Sequence, residues 1–369
     1  MFDFRWRYFD FYMCITTMML MGFGVVGVWS ASGALTPTLL NPGVKQAMFG
    51  AVGLLLMLFV ANTDYRFIGA LAWPAYFIAL LVLASVKVVG VDIAGARRWF
   101  DFGVFTIQPS EFGKVTTAIA LAWFISTRGE RMKEFGNFVV SIIIVAAPAA
   151  LVFLEPDLGS TMVYLSMWFA MMLVARTRGI YLIGIVLAAI PTVYLAWFHV
   201  FKNYQRQRLE AFLHPEKHLD GEAFNLIQSR IAVGSSGWFG HGLKGGSQST
   251  EDFLKVKTTD FIFSHVSSMF GFVGMIALFM LIGFLLFRFI RVIEVSKDTF
   301  GQCLAAALFM IVFFQSFVNI GMNIGLLPVT GITLPFISQG LSSVWALLIG
   351  QGLLQSVLMR HRKLGFQNL

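Results

Sequence analysis

Apolar residues in this chain gather in long unbroken runs, with neither the alternation of a strand nor the stripe of a surface helix. The runs predict ten spans, at 11–31, 44–62, 67–86, 109–127, 138–154, 158–175, 180–200, 265–287, 300–324 and 341–359. Each lies near the ~20 residues an α-helix needs to cross a bilayer core. The polar intervals are short, with one exception at residues 201–263. That interval reads as a partly helical loop. Ala223 to Val233 has helical spacing, and Gly234-Ser-Ser-Gly237 ends it. Glycines at 221, 234, 237, 240, 242, 245 and 246 leave its backbone free to lie close to something else. No P-loop is present, since Lys244 is not followed by Ser or Thr.

Residues 299–359 hold no Asp, Glu, Lys or Arg. Even so, Pro328, Gly331, Pro335 and Gly340 prevent Leu326 to Gly340 from forming one helix. Irregular backbone at this depth persists only where protein or a wet cavity satisfies its polar groups. Just upstream, Gln315, Asn319 and Asn323 recur every fourth position, placing three amides on one helix face. Interhelical hydrogen bonding and a polar cavity wall both fit that face. The expected fold is an all-α polytopic membrane protein with about ten transmembrane helices. One transmembrane domain spans 1–369, with one large extracytoplasmic loop, 201–263, inside it.

Composition agrees. The chain is 57% hydrophobic and 12% charged, against roughly 25% charged in soluble domains. Its mean hydropathy is +0.77. Topology explains most of the +8 net charge, so nucleic acid is not an expected partner. Loops and tails on the N-terminal side carry fourteen Lys and Arg, and the short loops opposite carry four: Lys45, Lys87, Arg97 and Arg98. The positive-inside rule then puts both termini in the cytoplasm and the long loop outside. Arg5 and Arg7 ahead of the first span, and Ser30-Ala-Ser32 behind it, outline a signal peptide. Its apolar run exceeds the usual ~7–15 residue core, so it reads as a retained span. Cys14 and Cys303 lie in apolar spans and read as core residues.

Charges inside or beside the spans are the candidates for chemistry, because each loses hydration there. Asp260 closes the long loop, at the threshold of an apolar run from His265 to Phe287 without a charged residue. A helix cap and a site residue are both open readings. Glu111 and Lys114, three residues apart on one face, fit a structural ion pair or a functional one. Asp157, between two spans, suits the start of the second as a cap. Arg97 and Arg98 stand on the outer side beside Trp99, and Arg suits the oxygens of a phosphate or pyrophosphate. Together these residues surround an outward-facing mouth suited to an amphiphile with an anionic head.

At this point blocks of sequence resemble a known family. They are Gly95-Ala-Arg-Arg-Trp99, Gln108-Pro-Ser-Glu-Phe-Gly-Lys114, Glu155-Pro-Asp-Leu-Gly-Ser160, Tyr204-Gln-Arg-Gln-Arg208 with Leu213-His-Pro215, and Gln228-Ser-Arg-Ile-Ala-Val-Gly-Ser235. Thr259-Asp-Phe-Ile-Phe-Ser264, Phe317-Val-Asn-Ile-Gly-Met322, Gly325-Leu-Leu-Pro-Val-Thr-Gly331 and Leu334-Pro-Phe-Ile-Ser338 follow. In this order they resemble the SEDS family of membrane glycosyltransferases (shape, elongation, division and sporulation), with Pro328-Val-Thr-Gly331 closer to the elongation-type branch, RodA, than to the division-type branch, FtsW.

The resemblance implies polymerisation of lipid II into glycan strands, with release of undecaprenyl pyrophosphate. It implies Asp260 as catalytic residue, and partial loss of hydration suits a carboxylate to accept a hydroxyl proton. Arg98, Lys114, Glu111, Asp157, Arg97, Gln228, Asn319 and Ser338 become candidate substrate-binding or cavity residues. The implied partners are lipid II, the nascent glycan, a class B penicillin-binding transpeptidase of the PBP2 type and other elongation-complex membrane proteins of the MreC and MreD type. No cofactor is certain, and a divalent metal is compatible. Three places depart from the family pattern. Lys255-Val-Lys-Thr-Thr-Asp260 replaces Pro-Glu-x-His-Thr-Asp, Ser268 and Met269 replace two glutamates, and Ser338-Gln-Gly-Leu-Ser-Ser343 replaces Ser-Tyr-Gly-Gly-Ser-Ser. A lipid II transporter and a non-catalytic scaffold for cell-shape proteins are the alternatives.

Overall fold

A computed structural model describes residues 4–32, 41–93, 96–103, 105–199, 201, 203–215, 222–243, 246 and 257–361. Gly95, Gly221, Lys244, Gly245, Lys255, Arg362 and Lys363 lie outside the described residues.

The helices run α1 (Phe11–Ala31), α2 (Pro42–Asn62), α3 (Tyr65–Ala70), α4 (Ala72–Val89), α5 (Pro109–Arg128), α6 (Phe135–Leu154) and α7 (Leu158–Val174). Then come α8 (Gly179–His199), α9 (Asn203–Leu213), α10 (Glu222–Gly234), α11 (Ile262–Val295), α12 (Thr299–Asn323) and α13 (Leu341–Arg360). Eight described helices are long and apolar enough to cross a membrane: α1, α2, α4, α6, α8, α11, α12 and α13. The other two predicted spans are α5, which carries Glu111 and Lys114, and α7, which has 17 residues. This is a mostly helical, multi-pass membrane architecture.

Three local differences have physical causes. The predicted span 67–86 is broken at Leu71. Pro74 has no N–H to bond the carbonyl of Ala70, so the first turn of α4 cannot continue α3. Between α4 and α5 the chain forms a small antiparallel sheet, β1 (Val91–Ile93), β2 (Ala96–Asp101) and β3 (Thr106–Ile107), in the order β1-β2-β3. The predicted span 265–287 begins earlier, at Ile262, and is interrupted at Gly271, whose φ of 65° lies outside helical space.

The interruption shows what the glycine-rich loop is for. Breaking α11 frees the carbonyls of Ser268 and Met269 and the N–H groups of Phe272 and Val273. The loop satisfies all four. His241 N donates to Ser268 O at 2.9 Å, and Gly242 N donates to Met269 O at 3.1 Å. Phe272 N and Val273 N donate to Gly237 O and Trp238 O at 2.9 and 3.0 Å. Gly240 and Gly271 make this backbone contact possible: a Cβ on Gly240 would lie 2.3 Å from Met269 O. Buried backbone groups require such partners.

The core centres on α12 and α13, in which 72% and 83% of the apolar window is buried, against 22% in α4. Helix α12 packs against α5, α7 and α11, and α13 against α2. The irregular segment 324–340 connects the two central helices, so any side chain held by it sits at the middle of the bundle.

Candidate active site

Asp260 occupies the last turn before α11, and the amide ladder of α12 fixes its backbone. Asn319 Nδ2 donates to Asp260 O at 3.0 Å and to Ile332 O at 2.7 Å. Asn323 Nδ2 donates to the same Asp260 carbonyl at 2.9 Å. Asn323 Oδ1 accepts from Ser264 Oγ at 2.6 Å and from Ser264 N at 3.2 Å. Ser229 of α10 donates to Asn323 O at 2.7 Å. Both asparagines are completely buried, so each unmade bond would carry the full cost of desolvating an amide. The four-residue spacing therefore serves as a tie between the Asp260 turn, α10 and the irregular segment. Gln315, one turn earlier, is buried with its carbonyl oxygen unpaired.

The irregular segment closes around the same turn. Ser338 Oγ donates to Thr259 O at 2.7 Å and accepts from Leu334 N at 2.8 Å. Gln339 N donates to Thr258 O at 2.8 Å. Gly331, at φ 74°, lies where a Cβ would stand 3.7 Å from Asp260 Oδ2. The turn is thus held from both sides and its carboxylate faces this segment.

A second cluster reaches the segment from the opposite flank. Asp157 caps α7, accepting from Ser160 N and Ser160 Oγ at 2.9 Å each. It also accepts from Gln108 Nε2 at 3.3 Å and lies 3.7 Å from Arg98 Nη1. Two residues on, a Cβ at Gly159 would lie 2.9 Å from Thr330 O, so the start of α7 presses directly on the residues beside Asp260. Arg98 Nε donates to Glu155 O at 2.7 Å, and Nη2 donates to Pro156 O. Strand alternation separates the two arginines. Arg98 points at the α6–α7 turn, while Arg97 is exposed, in register with Asp92. Glu111 and Lys114 form a buried pair at 2.8 Å within α5. Gln228 lies beside Ser229 on α10, partly buried, with Oε1 unpaired.

The sequence reading passed over two features. A cavity of about 510 Å³ opens between the start of α2, the small sheet and the start of α13. Lys45, Gln46, Trp99 and Gln339 line it, and Thr259 brings it to the residue before Asp260. Lys45 counted only as a topological charge, and no local pattern marks it as a cavity residue. Among the described residues no group of three His, Cys, Asp or Glu side chains converges as a metal site. Where the family pattern has two glutamates, Ser268 Oγ accepts from Gly246 N at 2.7 Å, and neither Ser268 nor Met269 offers a carboxylate to a divalent metal.

The second feature is Glu155, buried in the α6–α7 turn with neither carboxylate oxygen bonded. Burial pushes its carboxyl up to about 8, and nearby Asp157 adds to the shift while Arg98 and Lys87 oppose it. The folded state therefore keeps a proton that the unfolded chain loses near its ordinary value of 4.5. The stability this proton confers is full below that value, falls as pH rises, and is gone above about 8. Glu155→Gln is expected to flatten this part of the melting-temperature profile and to raise the melting temperature at pH 8.5. Parallel wild-type and variant profiles would remove the assignment.

Comparison with known proteins agrees with this architecture. Residues 11–363 match the family described as "Cell cycle protein", which groups FtsW, RodA and SpoVE. The chain belongs to this family. It is 34% identical over 355 residues to the peptidoglycan glycosyltransferase MrdB of Escherichia coli (strain K12), covering 95% of this chain and 94% of that protein. A chain of a peptidoglycan synthase complex that coordinates polymerization and crosslinking superposes with a TM-score of 0.82 at 28% identity, covering 98% of this chain and 99% of that one. The rod shape determining protein RodA of Thermus thermophilus gives a TM-score of 0.70 at 27% identity, covering 95% and 96%.

Proposed function

We propose that this protein is a peptidoglycan glycosyltransferase of the bacterial cytoplasmic membrane, with both termini cytoplasmic and Asp260 on the outer side. It polymerises lipid II, and Asp260 is the general base. The acceptor sugar's 4-hydroxyl attacks the donor's anomeric carbon, and the hydroxyl proton passes to the Asp260 carboxylate. The bond from that carbon to the pyrophosphate oxygen breaks, and undecaprenyl pyrophosphate leaves with the electron pair. Arg98 and Lys114 offset the charge of the departing group, and Glu111 holds Lys114. A class B penicillin-binding transpeptidase is the proposed partner, alongside elongation-complex membrane proteins.

One observation carries the reading. The fold commits two fully buried asparagines to the backbone carbonyl of Asp260, which fixes the main chain that carries this partly buried residue's side chain toward Gly331. A helix cap needs no such arrangement, whereas a base must be held within reach of its proton. The test is to incubate the purified protein with lipid II, with and without the transpeptidase, and to resolve the glycan products. Polymer is the expected result. Lipid scrambling in vesicles without polymer under any partner condition would identify a transporter instead.

A further inference from the structure

Toward the end of α11 away from Asp260 lies a charged pocket that the proposed chemistry does not use. Helix α11 begins beside Asp260 and ends at Val295. Near that far end, Arg288 and Arg291 join Arg7 and the start of α1 around a cavity of about 440 Å³. Arg288 is committed: its Nε donates to Asp10 Oδ2 at 2.7 Å, and its guanidinium lies 5.7 Å from the Tyr12 ring centre. Asp10 is committed too, capping α1 through Met13 N at 3.0 Å. Arg7 and Arg291 are exposed at the pocket. The lining carries three arginines against one aspartate, a surplus of two positive charges.

A second, separate feature lies on the same two helices. Between α1 and α11 runs a furrow of about 770 Å³, lined by Met19, Phe23, Val26, Phe270, Met280 and Phe284 with almost no polar surface. Phe284 is one helical turn from Arg288, and Met19 two turns from Tyr12. Tyr12 to Gly22 spans about 15 Å at 1.5 Å per residue, the depth that one leaflet's acyl chain covers in a ~30 Å hydrocarbon core. Gly22 opens the furrow, and a Cβ there would meet nothing within 4 Å. A cationic mouth at helix-end depth, in line with an apolar furrow one to two turns along the same two helices, matches an amphiphile with an anionic head and hydrocarbon tail. Basic pockets between helix ends bind such heads, at about 1 kcal/mol per arginine near the surface.

We propose that Arg7 and Arg291, with the α1–α11 furrow, form a binding site for one anionic glycerophospholipid, phosphate at the arginines and acyl chain along Gly22. The site stands apart from the proposed active site and does not depend on that activity.

The test uses the purified full-length chain and native mass spectrometry. Phosphatidylglycerol, phosphatidylcholine of the same acyl chains, and undecaprenyl phosphate are titrated in separate arms. The wild type is expected to retain one phosphatidylglycerol and to bind phosphatidylcholine at least about tenfold more weakly. Arg7→Gln with Arg291→Gln should weaken phosphatidylglycerol about thirtyfold. Gly22→Trp, which fills the furrow and leaves every charge in place, should also weaken it while melting no lower than wild type. Equal binding of phosphatidylcholine, or unchanged binding in the arginine variant, overturns the site. Preference for undecaprenyl phosphate overturns the glycerophospholipid assignment. Unchanged binding in a folded Gly22→Trp variant overturns the acyl chain's place. If that variant fails to fold, the arginine variant and the lipid comparison decide.

Discussion

Asp260→Asn is expected to cut glycan polymerisation on the order of 10²–10⁴-fold while leaving the protein folded. The substitution keeps size and shape but removes the proton acceptor. Four ties of this turn run through main-chain atoms: Asn319 and Asn323 bond the Asp260 carbonyl, and Ser338 and Gln339 bond Thr259 and Thr258. None of these bonds needs the Asp260 carboxylate. Melting temperature should therefore stay near wild type while product falls. Asp260→Glu should recover little, because an extra methylene moves the carboxylate by more than a proton transfer tolerates. Wild-type polymer lengths and rates from Asp260→Asn would end the general-base assignment.

The second large effect is expected at Glu111 and Lys114. Their side chains are 7% and 3% exposed, 2.8 Å apart, inside α5. Removing one partner of such a pair leaves a buried charge uncompensated, typically at about 3–5 kcal/mol. Lys114→Met alone should unfold the protein at markedly lower temperature. Combined with Glu111→Gln, it should restore most of that loss, because two neutral side chains of similar volume cost far less than one orphaned carboxylate. The double variant also separates structure from chemistry. If Lys114 offsets the charge of a departing pyrophosphate, the double variant will be stable yet slow, by about 10²-fold or more. Full activity in a stable double variant would leave the pair a purely structural role.

The site could be read from sequence wherever chemistry follows local spacing. Glu111 and Lys114 face each other because three residues bring helical side chains together. Asp157 caps α7 as its position before an apolar run implies. The family pattern favoured Arg98 over Arg97, but spacing alone did not separate them, because the helical reading did not include the strand. Its alternation turns one toward the α6–α7 turn and the other toward solvent. Glu155 heads one of the family blocks, yet spacing assigned it no role, since its distinction is a lack of bonded neighbours.

Apolar run length by itself determined that this chain is a multi-pass helical membrane protein, because the bilayer imposes a minimum length and forbids unsatisfied backbone. Proline and glycine positions also determined that residues 326–340 could not be helical. Only the tertiary structure decided what those irregular stretches meet. The Asn319 amide finds the carbonyl of Asp260 across 59 residues, and the broken ladder at Gly271 finds the loop at 237–242. Periodicity fixes which face of a helix a side chain occupies. Which distant backbone group arrives at that face depends on how the whole bundle packs.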